Sequence, residues 1–318
     1  GLQKGMQGLN AMAGPTKKFS KGETIFVPGS AFSFKTGTSK AIIRQWAMHN
    51  KPEMKDPNKI PLLVFWSVEN ETYTTLRDIY RACWYLENRD ELGLDSMPNE
   101  EAEDLYQKQI TDVSDAAMST YVKQQLGRNG YQVKFVRSNP AETDYLEIFN
   151  AVDNWKREGY ELHGFVLDYM GKRNTRGCSQ GVAGADIKDL LSRLRNFFSV
   201  EGALFWTPHQ FNGEARLRRD NGEKNWIQKM SGSGTHYARC KDLYQEIDVE
   251  VVVNCFTYNT ERMLEYYLGK NRNCPSVPEG RKHAIYPLCP FTGLRDDLDR
   301  EDSKVKKLGG GNSGATAW

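Results

Sequence analysis

Residues Gly22–Thr36 read Gly-Glu-Thr-Ile-Phe-Val-Pro-Gly-Ser-Ala-Phe-Ser-Phe-Lys-Thr. A short apolar strand runs into a loop that closes on Lys35-Thr36, and a helical pattern follows. That order suits a polyphosphate. The backbone N–H groups of Gly29, Ser30, Ala31, Phe32, Ser33, Phe34 and Lys35, with Gly37 just beyond, would cradle phosphates at a helix N-terminus. Lys35 would reach the β- and γ-phosphates and Thr36 would ligate Mg²⁺. The usual pattern is G-x-x-x-x-G-K-[ST], and Phe34 stands where the second Gly belongs. A Gly lets the backbone pass close to the phosphates and take φ above zero, which a Phe does poorly. Nucleotide affinity and geometry are therefore the properties that Phe34 puts in question. By itself a Lys-Thr after a strand reads equally well as an ordinary helix start.

The elements that must position these groups alternate. Strands are expected over Thr24–Val27, Pro61–Ser67, Tyr131–Val136, Gly164–Leu167, Ala203–Trp206, Val249–Val253 and Met263–Leu268. The run Pro-Leu-Leu-Val-Phe-Trp-Ser is continuously apolar, as in a strand buried on both faces. Helices are expected over Ser39–His49, Thr72–Trp84, Asp144–Arg157 and Asp186–Phe198, with a long, interrupted helical insertion over Glu100–Leu126. This alternation implies an α/β fold with a mainly parallel central sheet covered by helices on both faces. Polar groups then follow the strand ends: Glu69 after the second, Asp168 after the fourth, His209 and Gln210 after the fifth. Those are the ends at which open α/β sheets bind ligands. Two loops are basic: Gly171–Ala183, and Gly213–Gly234 with Trp226 among its charges.

With 318 residues the chain can bury a large core. A formal net charge of +2 leaves nucleic-acid affinity to local patches. No apolar run reaches membrane-spanning length, so no membrane partner is expected. The six cysteines lack C-x-x-C spacing and read as free thiols of a reducing cytosol rather than a zinc site. The start has no signal-peptide core and no initiator Met, as expected of a tag remnant or a fragment of a longer chain. One domain is expected over 1–298, with a charged, Gly-rich, disordered tail over 299–318.

Taken in order, these motifs resemble the RecA-like ATPase (P-loop) motor domain of DnaB-type replicative helicases across about residues 1–290. Gly1-Leu-Gln-Lys-Gly-Met looks like that family's lead-in, and Val68-Glu69-Asn70 like the segment with its catalytic Glu. Leu167-Asp168-Tyr169-Met170 resembles the Walker B strand, and His209-Gln210-Phe211-Asn212-Gly-Glu resembles S-Q-L-N-R-E. Ser231-Gly-Ser-Gly-Thr is similar to R-E-S-G-S-I, and Leu268-Gly-Lys-Asn-Arg-Asn to the late G-K-x-R element.

The resemblance implies the RecA-like fold with a C-terminal antiparallel extension, and ATP and Mg²⁺ as cofactors. Asp168 with Thr36 would hold the metal, and Glu69 would act as general base on water. Gln210 would sense the γ-phosphate. Lys270 and Arg272 would serve as basic fingers for a neighbouring subunit's nucleotide. His209 reads as structural. Lys172, Arg173, Arg176, Arg216, Arg218, Arg219 and Lys224 would line a channel around single-stranded DNA, with Trp226 stacking on a base. The expected activity is an ATP-driven 5′-to-3′ helicase working as a hexameric ring with ATP sites between subunits. Expected partners are single-stranded DNA, further copies of the chain, and primase, loader or other replisome proteins. The expected location is the cytoplasm, a bacterial host's if the gene is a bacteriophage's, as the divergent motifs suggest. Beyond Phe34, the chain departs from the family in lacking a collar domain and in its insertion around Asn99–Gln125, expected to serve a partner or subunit contact. Two other readings share these residues: a RecA-like recombinase filament, and a nucleotide-binding scaffold that has lost hydrolysis.

Overall fold

The computed structural model describes residues 2, 5–69, 71–223, 225–289 and 291–294. The expected tail and the exact end of the domain lie outside them. A nine-stranded sheet of order β3-β2-β4-β5-β1-β6-β7-β8-β9 organises the chain. Its parallel part comprises β1 (Thr24–Gly29), β2 (Ile60–Ser67), β3 (Gln132–Arg137), β4 (Tyr160–Asp168), β5 (Leu204–Gln210) and β6 (Val249–Tyr258). β7 (Glu261–Asn271), β8 (His283–Cys289) and β9 (Gly293–Leu294) continue it antiparallel. The hairpin between β6 and β7 turns on Asn259 and Thr260, both at positive φ, which is the condition for a two-residue turn matching strand twist.

Period-two alternation splits the core in two. Ile25, Val27, Phe65, Val166 and Trp206 point to one face. Phe26, Val64, Trp66, Phe165, Leu167 and Phe205 point to the other. The first face is covered by α2 (Lys35–His49), α3 (Thr72–Asn88), α4 (Asn99–Ile110) and α5 (Asp115–Gly127). α2 is buried almost all round. Trp46 meets Trp206 edge-on at 6.4 Å, and the Trp206 indole donates to Ser39 Oγ at 3.1 Å. The second face is covered mainly by α6 (Tyr145–Arg157) and α7 (Ala185–Glu201), with α1 (Gln7–Met12) lying against β8 on the first.

The segment expected as an interrupted helical insertion is the pair α4 and α5, with the break at 111–114. Ser114 caps α5 by accepting from Ala117 N at 3.2 Å. Ala102, Tyr106, Ile110, Met118, Val122 and Leu126 enter the first core. Its outer ties run to α3: Trp84 donates to Gln109 at 2.8 Å, and Arg81 pairs with Glu103. Two short helices occupy the expected loop Gly213–Gly234, α8 (Gly213–Asp220) and α9 (Trp226–Met230), and a third, α10 (Leu243–Glu246), follows it.

Candidate nucleotide site at the carboxyl edge of the sheet

The loop between β1 and α2 keeps the expected order of strand, loop and helix despite Phe34. Phe34 is the residue before α2 and sits at φ 64°, in the left-handed region that a Gly would occupy freely. For a bulky residue that conformation costs on the order of 1–2 kcal/mol. Packing offsets the strain. The ring is half-buried against the first core, and a Cβ added to Gly37 or Gly293 would overlap it. Phe34 thus takes the backbone shape of the missing glycine and seats its side chain between two others. Phe32 is also left-handed, at φ 62°, and is 93% exposed at the loop's crest.

Four strand ends converge on this loop because register places them there. Gly29 pairs with Gln210 across β1 and β5, and Ser67 with Asp168 across β2 and β4. Lys35 turns into its own loop, where its ammonium donates to the carbonyls of Gly29, at 3.1 Å, and Ser30. Burial pulls the Lys35 pKa down to about 8, against the opposing pull of Asp168 and Glu69. Thr36 Oγ1 donates to Asp168 Oδ1 at 3.2 Å. Asp168 is fully buried, and that burial pushes its pKa up to about 6. Its other oxygen, Oδ2, has no hydrogen-bond partner. A buried carboxylate oxygen without a partner, next to a threonine hydroxyl at the foot of a phosphate loop, fits a hard cation such as Mg²⁺. Glu69 lies beside it, with its carboxylate paired to Lys172. Gln210 sits at the end of β5, where its backbone carbonyl accepts from Ala238 N at 2.9 Å. His209 is buried with Nε2 on the Ala238 carbonyl at 2.9 Å, and desolvation lowers its pKa to about 4; it packs at 5.0 Å on Phe26.

The remaining expected residues are placed differently. Lys270 and Arg272 lie at the opposite edge of the sheet. Lys270 pairs in register with Glu250, which itself pairs with Phe26, three residues upstream of Gly29. Lys270 donates to the Tyr244 carbonyl at 2.6 Å, and Arg272 to the Gln245 carbonyl at 3.0 Å and to Asp248 at 3.1 Å. Neither approaches the chain's own phosphate loop.

Among the basic residues, Arg173 needs correction. It is 3% exposed, donates to Ser138 Oγ at 3.0 Å and lies over the Trp66 ring at 5.4 Å, so its guanidinium supports the sheet instead of facing a channel. Trp226 is likewise core, packed near Phe211 at 6.3 Å. Lys172 and Arg219 turn to the nucleotide edge, Lys172 to Glu69 and Arg219 to the Ala31 carbonyl at 3.0 Å. Arg176 is exposed and near Asp144 at 3.4 Å; Arg216 is exposed and near Asp220 at 3.6 Å; Arg218 pairs with Glu214 and Glu223. Lys224 lies outside the described residues.

Among the described residues no helix is long and apolar enough to cross a membrane. Comparison with curated proteins gives no match. Many solved structures match the chain, two of them as follows. One, described as an ATPase domain, aligns with a TM-score of 0.60 at 10% identity, over 92% of this chain and 90% of that one. A DnaB-like replicative helicase, whose structure describes its interactions with primase, aligns with a TM-score of 0.59 at 11% identity, over 90% of this chain and 60% of that one. At such identities the likeness is one of fold, and the fold is the RecA-like ATPase architecture. The family model for divergent DnaB-like ATPases matches residues 1–317, and the chain therefore belongs to the divergent DnaB-like ATPases.

Proposed function

We propose that this chain is the ATP-hydrolysing motor of a DNA helicase that moves on single-stranded DNA as a ring, with ATP sites between subunits. The observation that carries the reading is the contact of Thr36 with one oxygen of buried Asp168, whose other oxygen has no partner, at the start of the helix that follows the β1–α2 loop. Thr36 and Asp168 would hold Mg²⁺, which when bound neutralises charge on the phosphates. Lys35 would exchange the carbonyls of Gly29 and Ser30 for phosphate oxygens, a stronger, charge-assisted partnership. Glu69 would leave Lys172 to orient the attacking water and take its proton. Gln210, in register with Gly29, would report the terminal phosphate to the helix that follows it. Lys270 and Arg272, remote from their own loop, would complete a neighbour's site. The separation of finger from loop within one chain is what favours an assembly, with further copies, single-stranded DNA and a primase as partners in the cytoplasm.

Steady-state ATP hydrolysis with and without single-stranded DNA, on wild type and Lys35→Ala, tests this. Turnover should rise with DNA and fall by about a hundredfold or more in the variant. Wild-type protein that assembles yet does not hydrolyse ATP would sink the reading in favour of a nucleotide-binding scaffold. Extended filaments on single strands, in place of rings, would favour a recombinase.

A further inference from the structure

A second cation, besides Lys35, reaches the phosphate loop, and it comes from outside it. α8 starts three residues beyond Gln210, capped by Asn212, which accepts from Ala215 N at 3.2 Å. Its last turn brings Arg219 back over the loop. One guanidinium nitrogen donates to the Ala31 carbonyl at 3.0 Å, while Nε and the other nitrogen are held by Asp220 at 3.0 and 2.8 Å. Asp220 so fixes the plane of the guanidinium and leaves one N–H edge for the loop. Lys35 meanwhile rests on Gly29 and Ser30. Three consecutive carbonyls of one loop therefore each accept from a cation.

A neutral carbonyl is the weaker acceptor. Charge-assisted bonds to phosphate are about twice as strong, and a planar guanidinium suits phosphate oxygens. A polyphosphate entering the loop would thus draw both cations. Arg219 approaches from beyond the carboxyl ends of the strands, on the helix that follows Gln210. The other two arginines of the helix do not share this duty. Arg218 is taken by Glu214 and Glu223, and Arg216 is 65% exposed.

We propose that Arg219 is a ligand, from within the same subunit, of the terminal phosphate of a bound nucleoside triphosphate, and that it makes the site favour triphosphate over diphosphate. The inference rests on the nucleotide reading above. It moves Arg219 from the nucleic-acid set to the nucleotide set, and it places the arginine-bearing helix that follows the strand of Gln210 in direct touch with the nucleotide.

The test is equilibrium binding of fluorescent ADP and of a non-hydrolysable fluorescent ATP analogue to the full chain, as wild type, Arg219→Ala, Arg219→Lys and Arg216→Ala. Arg219→Ala should weaken the triphosphate analogue by about tenfold or more and ADP by no more than about twofold. Arg219→Lys should recover part of the loss, and Arg216→Ala should change neither. Affinity for single-stranded DNA without nucleotide should be the same for Arg219→Ala and wild type. Equal weakening of both nucleotides, no weakening of either, or lost DNA affinity with nucleotide binding intact would each overturn the inference. If the wild type binds neither nucleotide, the proposed function falls and takes this inference with it. If the wild type binds both and Arg219→Ala matches it, this inference alone falls.

Discussion

The two edges of the parallel sheet use charge in opposite ways. At the carboxyl edge, polar groups converge on a loop and are only loosely satisfied. Asp168 keeps a bare oxygen, and Lys35 and Arg219 lean on backbone carbonyls. At the amino edge, the carboxylates are closed by internal partners. Glu250 accepts from the Tyr237 hydroxyl and from Gly232 N at 2.7 Å, and Asp248 holds Arg195 at 2.8 Å and Arg272 at 3.1 Å. Buried polar groups normally find partners, so the edge with the bare Asp168 oxygen is where the proposed nucleotide and metal would bind, and the closed carboxylates of the other edge hold the fold.

The largest expected effect that would break this contrast is at Glu250. Glu250→Ala strips a fully buried hydroxyl and a backbone N–H of their acceptor and should cost about 2–4 kcal/mol of unfolding free energy in chemical denaturation. A loss no larger than that of an exposed substitution would mean the amino edge is not structural. Next comes the loop. Gly37→Ala should misplace Phe34 and cost about 1–3 kcal/mol together with nucleotide affinity, because the new methyl occupies the ring's seat. Adding Phe34→Gly should return most of both losses. A double variant as poor as the single one would show that the ring does not fit the loop as described.

Glu250 also makes the contrast readable by pH. Burial raises its pKa from 4.5 to about 7, so the folded state binds a proton more readily than the unfolded chain. Its contribution to stability is therefore present below pH 4.5 and is lost as pH rises to about 7, a fall on the order of 2–3 kcal/mol. Glu250→Gln should flatten that fall relative to wild type in denaturation series across the window, and parallel curves would refute it. The smallest effect belongs to Arg272. Arg272→Ala removes a half-exposed pair and should shift stability by less than about 1 kcal/mol. If it is a finger, its effect appears in the turnover of the assembled protein instead.

The succession of strands and helices and the mainly parallel sheet with helices on both faces are legible in the sequence because apolar runs alternate with helical periods, whereas the order of strands across the sheet is not. Boundaries fail at prolines. Sequence pattern stops the first strand at Val27 and the fifth at Trp206, since Pro28 and Pro208 remove ladder donors. Both strands run on, to Gly29 and Gln210, and the two prolines stand near one another, Val27 pairing with Pro208. Polarity alone makes Gly213–Gly234 a loop, yet Asn212 is a helix cap, and that signal is present in the sequence. Cation partners are beyond its reach. Nothing in spacing says that Arg173 lies over the Trp66 ring, or that Lys172 and Arg219 turn to Glu69 and Ala31, because those contacts join segments far apart in the chain.

The seat of Phe34 has one more implication. Gly293, which forms one wall of it, begins β9, and two residues earlier Phe291 stacks on Tyr85 at 5.4 Å and faces Tyr106 of the insertion at 6.1 Å. The unusual loop residue and the unusual helical pair are thus wedged against the same three-residue piece of late chain. Neither departure stands alone. Trading Phe34 for glycine would empty one side of that wedge, and deleting the insertion would empty the other. The phosphate-loop ring and the helical pair so share one support, and a change at either reaches the other through residues 291–293.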